Sequence, residues 1–392
     1  MCMYFCLQYT LFAVYICNIA RKLEHTFSAI IMAVVTNVID ILFFSLTSLC
    51  LVSCELSCKD PNGNNVDWFI VQKLPQNHES SNPLIHDGVA HLYMDVHSSS
   101  FSLSDVSLND SNQAVGYTLK QIYTNFESQN VLYMMYNDEF PNGTKDGHGH
   151  TKGTIAFDNE SGFWLVHSVP KFPDFAKNRY VWPSSACNYG QSMLCISMKT
   201  DEFVKVGKQL LYNYASAYDW NIPPSFQSKF SNFVEVSKSE PISQPPWNST
   251  VLLTSLAGQS FTSFAKFTDF EQDLYWYLVA PSLGDDLYVE SWLRTPKLPS
   301  FCNGSYHVEN VQLLGFPNVP GFKETVDHSK WAIGKNKKWV CIGDINRTKS
   351  QFKRGGGTVC ALLATPWQQY TSAIQQAEDC PTKRVFGNKF TY

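Results

Sequence analysis

The chain has 392 residues, enough for one large domain or two ordinary ones with a substantial buried core. Hydrophobic residues make up 44% and charged residues 16%, which excludes disordered, collagen-like and low-complexity classes. The formal charge of −4 disfavours a nucleic-acid partner at neutral pH, yet protonating all ten histidines would carry the sum to about +6 and admit a polyanion in an acidic compartment.

Residues 4–20 carry no charge, Arg21 and Lys22 follow, and a second apolar stretch over 26–54 is interrupted by Asp40. A pair of membrane spans is one reading, but the first run is short and Asp40 is costly in hydrocarbon. The favoured reading is a secretory leader over 1–57, with residues 41–52 as its apolar segment and Val52-Ser53-Cys54 offering small residues for cleavage. A start at Met32 and a retained anchor are the alternatives. Five of the 12 cysteines fall in this leader, leaving Cys58, Cys187, Cys195, Cys302, Cys341, Cys360 and Cys380, with no CxxC pair to suggest a zinc ribbon. Sequons at Asn109, Asn142, Asn159, Asn248, Asn303 and Asn346 fit a glycoprotein of the secretory pathway.

Alternation predicts strands over 66–74, 131–136, 154–157 and 163–169, with polar loops over 98–111 and 137–149 and a helix over 204–218. A proline-bearing stretch over 237–247 reads as a connector, and strands return over 250–256, 287–293 and 339–342. Strands and helices mix in both parts, so the fold class is α/β or α+β, divided as 58–236 and 248–392.

Two segments carry chemistry: Gly147-His148-Gly149-His150-Thr151-Lys152-Gly153 and Asp327-His328-Ser329-Lys330-Trp331. Each holds a His-x-Lys, which in an extended chain sets both side chains on one face. An imidazole can attack phosphorus while an ammonium holds the non-bridging oxygens, and the second histidine can protonate the leaving oxygen and then activate water. Which histidine does which stays open at this level. No metal or cofactor is required; the competing reading makes His148 and His150 metal ligands, with His167 as a distant third. A cationic run, Lys335, Lys337, Lys338, Lys349, Lys353 and Arg354, flanks the second motif as a candidate phosphate track.

The segments 66–75, 150–153, 162–170 and 191–195, with 327–331, 343–347 and 354–358, resemble deoxyribonuclease II, in order across nearly the whole chain beyond the leader. The resemblance implies an acid, metal-independent endonuclease that cuts double-stranded DNA to 3′-phosphate and 5′-hydroxyl ends through a phosphohistidine. Such an enzyme, lysosomal or secreted, would degrade DNA from dead or engulfed cells. The family is similar to the phospholipase D superfamily, in which two pseudo-symmetric halves, each a mixed sheet with flanking helices, share one cleft. On that basis His150, Lys152, His328 and Lys330 are catalytic. Ser168 and Asn346, each sixteen residues after its lysine, and His167 are supporting or phosphate-contacting, which would leave the Asn346 sequon without a glycan. Phe157 and Lys335 stand where the superfamily has Asp, so its full signature is absent. The resemblance also implies disulfides Cys58–Cys195, Cys302–Cys380 and Cys341–Cys360, leaving Cys187 free. A secreted toxin or defence factor with the same chemistry, and a catalytically silent DNA-binding glycoprotein, are the alternative functions.

Overall fold

The computed structural model describes residues 55–381 except 146 and 294–296, so the leader lies outside the described residues. From Leu56 on, the described residues form one compact unit. Its first strands are β1 (Trp68–Lys73), β2 (His91–Asp95), β3 (Ser102–Leu103), β4 (Leu132–Asn137), β5 (Lys152–Phe157), β6 (Ser161–His167), β7 (Gln191–Lys199) and β8 (Ala217–Asn221). They form one antiparallel sheet in the order β8-β4-β5-β6-β7-β1-β2-β3. The later strands are β9 (Asn248–Thr254), β10 (Ser260–Lys266), β11 (Leu287–Glu290), β12 (Val308–Leu314), β13 (Phe322–Lys323), β14 (Trp331–Gly334), β15 (Trp339–Gly343), β16 (Gly356–Leu362) and β17 (Ile374–Glu378). These form a nine-stranded sheet, β9-β10-β16-β15-β14-β11-β12-β13, with β17 also on β12 and only β11·β12 parallel. The fold is therefore mixed α+β, dominated by two large, mostly antiparallel sheets.

Both sheets are apolar on both faces, which dictates covered layers. Between them lies one continuous core: Ile70, Met134, Ile155 and Trp164 from the first sheet, Val311, Trp331, Ile333 and Ile342 from the second. Helices α2 (Glu202–Tyr212), α3 (Ser231–Ser237) and α4 (Ala364–Ala373) add Phe203, Leu210, Phe233 and Tyr370 to it. Phe203, Val206 and Leu210 recur at helical spacing, so α2 buries one stripe. On the outer face of the first sheet, α1 (Ala114–Tyr123) packs Val115, Leu119 and Ile122 against Phe163 and Leu165. On the outer face of the second, Leu274, Val279 and Leu283 cover Val289, Ala332 and Cys341.

The helix expected over 204–218 ends at Tyr212; Tyr214 turns the chain at φ 49°, and residues 217–221 become edge strand β8, pairing with β4. Tertiary pairing overrides helical propensity there. Among the described residues, the strand expected over 287–293 stops at Glu290. The disulfides are Cys58–Cys195, Cys302–Cys380 and Cys341–Cys360, with Cys187 free and half-buried. No helix among the described residues is long and apolar enough to cross a membrane.

Candidate active site

Both His-x-Lys segments stand in the approach to a strand: His150 precedes β5, whose first residue is Lys152, and Lys330 immediately precedes β14. Each segment is anchored on the opposite sheet's loops. The His150 N–H donates to Gly355 O at 2.9 Å, and the His328 N–H donates to Gly190 O at 2.9 Å. Close approach explains the glycines: a Cβ at Gly149 would lie 1.8 Å from Asn213 O, and one at Gly190 would lie 2.3 Å from Asp327 Oδ1.

The His150 Nδ1 lies 2.6 Å from Asp344 O. A carbonyl only accepts, so Nδ1 carries the hydrogen and Nε2 keeps its lone pair. Burial, reinforced by the Lys152, Lys330 and Arg354 cations and only partly offset by Asp138, pushes His150 down to about 3. It is neutral throughout the mildly acid range. Lys152 is buried and paired with Asp138, whose second oxygen takes Arg354 Nη2 at 3.0 Å. Burial works to raise the Asp138 carboxyl, but Lys152, His150 and Arg354 outweigh it and hold Asp138 well below the usual carboxylate range.

His328 has different company. Its ring stacks on Tyr189 at 3.9 Å and 10° and tilts against Trp292 at 3.9 Å. Lys330 Nζ donates to His328 O, and the Lys330 N–H donates to Ser192 Oγ at 3.1 Å. Burial, and after it the neighbouring Lys152, pushes the Lys330 ammonium down to about 7. Lys330 and Lys152 thus lie close enough to oppose each other's charge, with His150 in the same field.

Ser168 is buried in this assembly: its hydroxyl donates to Gln191 Oε1 at 2.5 Å and accepts from the Ser192 N–H at 3.0 Å. The register of the second sheet makes Asp344 its counterpart. Gly153 opposes Val166 in β5·β6 and Trp331 opposes Ile342 in β14·β15, so Ser168 and Asp344 follow equivalent positions. The second hairpin is two residues shorter, and the sixteen-residue spacing to Asn346 overshoots. Asn346 instead lines a recess with Lys266, Asp273, Tyr275 and Gln351. Asp344 takes Thr151 Oγ1 on one oxygen and the Gly357 N–H at 3.0 Å on the other, and burial pushes its carboxyl up to about 6.

His167 is fully buried, its Nδ1 accepts from the Val169 N–H at 3.2 Å, and burial pushes it down to about 3. Its ring meets Phe172 edge-on at 5.6 Å, and the Lys152 charge reaches it. His148, His150 and His167 do not converge as a metal set, since His148 stacks on Tyr214 at 4.3 Å while His150 faces Asp344. Among the described residues one group of three potential ligands gathers, His307, Glu309 and Cys380, and Cys380 is committed to a disulfide.

The lysine track divides. Lys335 and Lys337 sit in the turn at the far end of β14 from Lys330, on Glu309 at 2.9 Å and Leu283 O at 2.9 Å. Lys353 pairs with Glu271 at 3.6 Å, while Arg354 reaches the site through Asp138 at 3.0 Å. The histidine charge swing also shrinks, because burial holds His91 down to about 4, and it stays neutral at mild acidity with His150 and His167. Asp344 lay within the 343–347 segment but was passed over for Asn346, whereas Asp138, Tyr189 and Trp292 carried no motif in the sequence; the fold brings Asp138 to Lys152 and the two aromatic rings to His328.

A family description of deoxyribonuclease II matches residues 57–380. Plancitoxin-1 of Acanthaster planci is 42% identical over 355 residues, covering 88% of this chain and 99% of that protein. Deoxyribonuclease-2-alpha of Mus musculus is 41% identical over 86% of this chain and 97% of its own length, and deoxyribonuclease-2 of Caenorhabditis elegans is 38% identical over 87% and 98%. With both His-x-Lys segments inside the matched span, this chain belongs to the deoxyribonuclease II family.

Proposed function

We propose that the protein is an acid, metal-independent endonuclease that hydrolyses double-stranded DNA to 3′-phosphate and 5′-hydroxyl ends. In this reading 58–236 and 248–392 are two phospholipase D-like halves joined by 237–247, sharing a cleft between His150-Thr151-Lys152 and His328-Ser329-Lys330. His150 is the nucleophile and His328 the acid. The observation that carries the assignment is the His150 tautomer: Nδ1–H is spent on Asp344 O, the ring is neutral, and the Nε2 lone pair is available. His328, its ring held between Tyr189 and Trp292, is in this reading the group that carries the proton to the leaving oxygen.

Nε2 of His150 attacks phosphorus, the bond from phosphorus to the 5′ oxygen breaks, and the His328 proton passes to that oxygen. Lys152, Lys330 and Arg354 hold the non-bridging oxygens as charge develops. His328, now neutral, takes a proton from water; the water oxygen attacks phosphorus, the P–N bond breaks, and the 3′-phosphate leaves. Acidification supports this cycle by charging Lys330, whose ammonium burial pushes down to about 7. Three disulfides and exposed sequons at Asn109, Asn142, Asn159 and Asn303 suit a lysosomal or secreted destination.

The test is plasmid cleavage at about pH 5 in EDTA, beside pre-steady-state release of p-nitrophenol from thymidine 3′-(p-nitrophenyl phosphate), whose leaving group needs no acid. His328→Ala should give one equivalent of p-nitrophenol and a trapped phosphoenzyme but no DNA cleavage; His150→Ala should give neither. A burst from His150→Ala reverses the roles, and loss of wild-type cleavage in EDTA removes the metal-free mechanism.

A further inference from the structure

Two buried lysines outside the proposed machinery occupy matched positions. Lys73 ends β1 opposite Gln191, and Lys266 ends β10 opposite Gly356. Neither forms an ion pair among the described residues, and each is no more than 1% exposed. Lys73 Nζ donates to Cys187 O and, at 2.7 Å, to Tyr189 O. Lys266 Nζ donates to Gln351 O and Phe352 O, both at 3.0 Å, and to Arg354 O. The next residue in each loop is the glycine whose carbonyl takes a histidine N–H from the opposite half: Gly190 for His328, Gly355 for His150.

We propose that Lys73 and Lys266 are paired positioning residues, each ammonium gathering the carbonyls of one loop so that Gly190 sets His328 and Gly355 sets His150. The argument rests on duplication. A buried ammonium with no carboxylate in ion-pair contact is costly, and finding it twice at one register position, on one kind of loop, ties it to what the loops hold. Charged neighbours are few: the Cys187 thiol and Asp327 face Lys73, while Asp273 and Arg354 face Lys266. Burial pushes the two ammonium groups down to about 7 and about 8, so both are charged where the proposed acid chemistry runs.

This inference rests on the roles proposed for His150 and His328, and it makes the two lysines unequal. Lys73 serves the acid and Lys266 the nucleophile. Misplacing a reacting group by about 1 Å can cost on the order of 100-fold. Lys73→Met should therefore slow single-turnover DNA cleavage at least tenfold, with KM for DNA within about twofold, and leave the p-nitrophenol burst rate within about threefold of wild type. Lys266→Met should slow both reactions at least tenfold. Should either methionine variant fail to fold, Lys73→Gln and Lys266→Gln, which keep a neutral donor, carry the same comparison. Wild-type rates in both variants, or a Lys73 variant that loses as much on the p-nitrophenyl substrate as on DNA, would overturn the positioning roles. A wild type inactive on DNA at every pH would instead overturn the nuclease reading itself.

Discussion

Asp138 shows how much of the site depends on a residue outside any motif. It is buried, and its two oxygens hold Lys152 from its own sheet and Arg354 from the loop before β16. Removing one partner of a buried pair strands the other charge, at a cost of about 3–5 kcal/mol. Asp138→Ala strands two cations at once, whereas Lys152→Met leaves Asp138 with Arg354. Urea denaturation at about pH 5 should therefore place Asp138→Ala as the less stable of the two, by roughly 1–3 kcal/mol. The sign with pH follows from the depressed carboxyl: its stabilisation is full above the unfolded value of about 4 and is lost only as pH falls through the much lower folded value, so it persists at pH 5. An Asp138→Ala protein as stable as Lys152→Met would mean that stranding Lys152 and Arg354 together costs no more than losing Lys152 alone, against the prediction. At this scale the sequence was legible where chemistry is local. His-x-Lys is a two-residue spacing that survives without a fold, while Asp138 meets Arg354 only through strand pairing.

Among the elements, β11 carries the clearest unsatisfied group. Glu290, its last residue, is fully buried, and neither oxygen has a hydrogen-bond partner among the described residues. Burial first, then Asp327 and Glu324, push its carboxyl well above the ordinary value. A raised folded pKa gives stability that is fully present below the unfolded value of about 4.3 and is lost as pH rises through the folded one. Glu290→Gln, which keeps the shape without the titration, should match wild type at about pH 4.5 and exceed it by on the order of 1–3 kcal/mol at about pH 7.5. Thermal melting at the two pH values reads this directly, and parallel pH profiles for the two proteins would refute it. The element level also explains two misreadings. The 204–218 helix pattern ran on through Ala215 and Ala217 because propensity alone cannot see that β4 offers residues 217–221 an edge to pair with. The sixteen-residue spacing selected Asn346 over Asp344 because hairpin length is a tertiary quantity, and β14·β15 closes sooner than β5·β6.

For the whole molecule, the alternating strands foretold a mixed fold but not the layer between the sheets. That layer decides how the two parts of the chain cohere. Trp164 and Ile155 of one sheet and Trp331 and Ile342 of the other belong to one buried cluster, with α2 and α4 packed into it. Either part alone would expose this face, and at about 25 cal/mol per Å² of apolar surface the loss would exceed what a domain can spare. The stretch between α3 and β9, by contrast, is irregular and largely exposed. A protease cut within residues 239–246 should therefore leave one particle that elutes at its original size without denaturant and keeps its acid DNA cleavage within about twofold. The parts expressed separately should be insoluble or inactive, since His150 is held by Gly355 and His328 by Gly190, each from the other part. Dissociation of the nicked protein into two soluble fragments would show that the shared core is not what holds the cleft together.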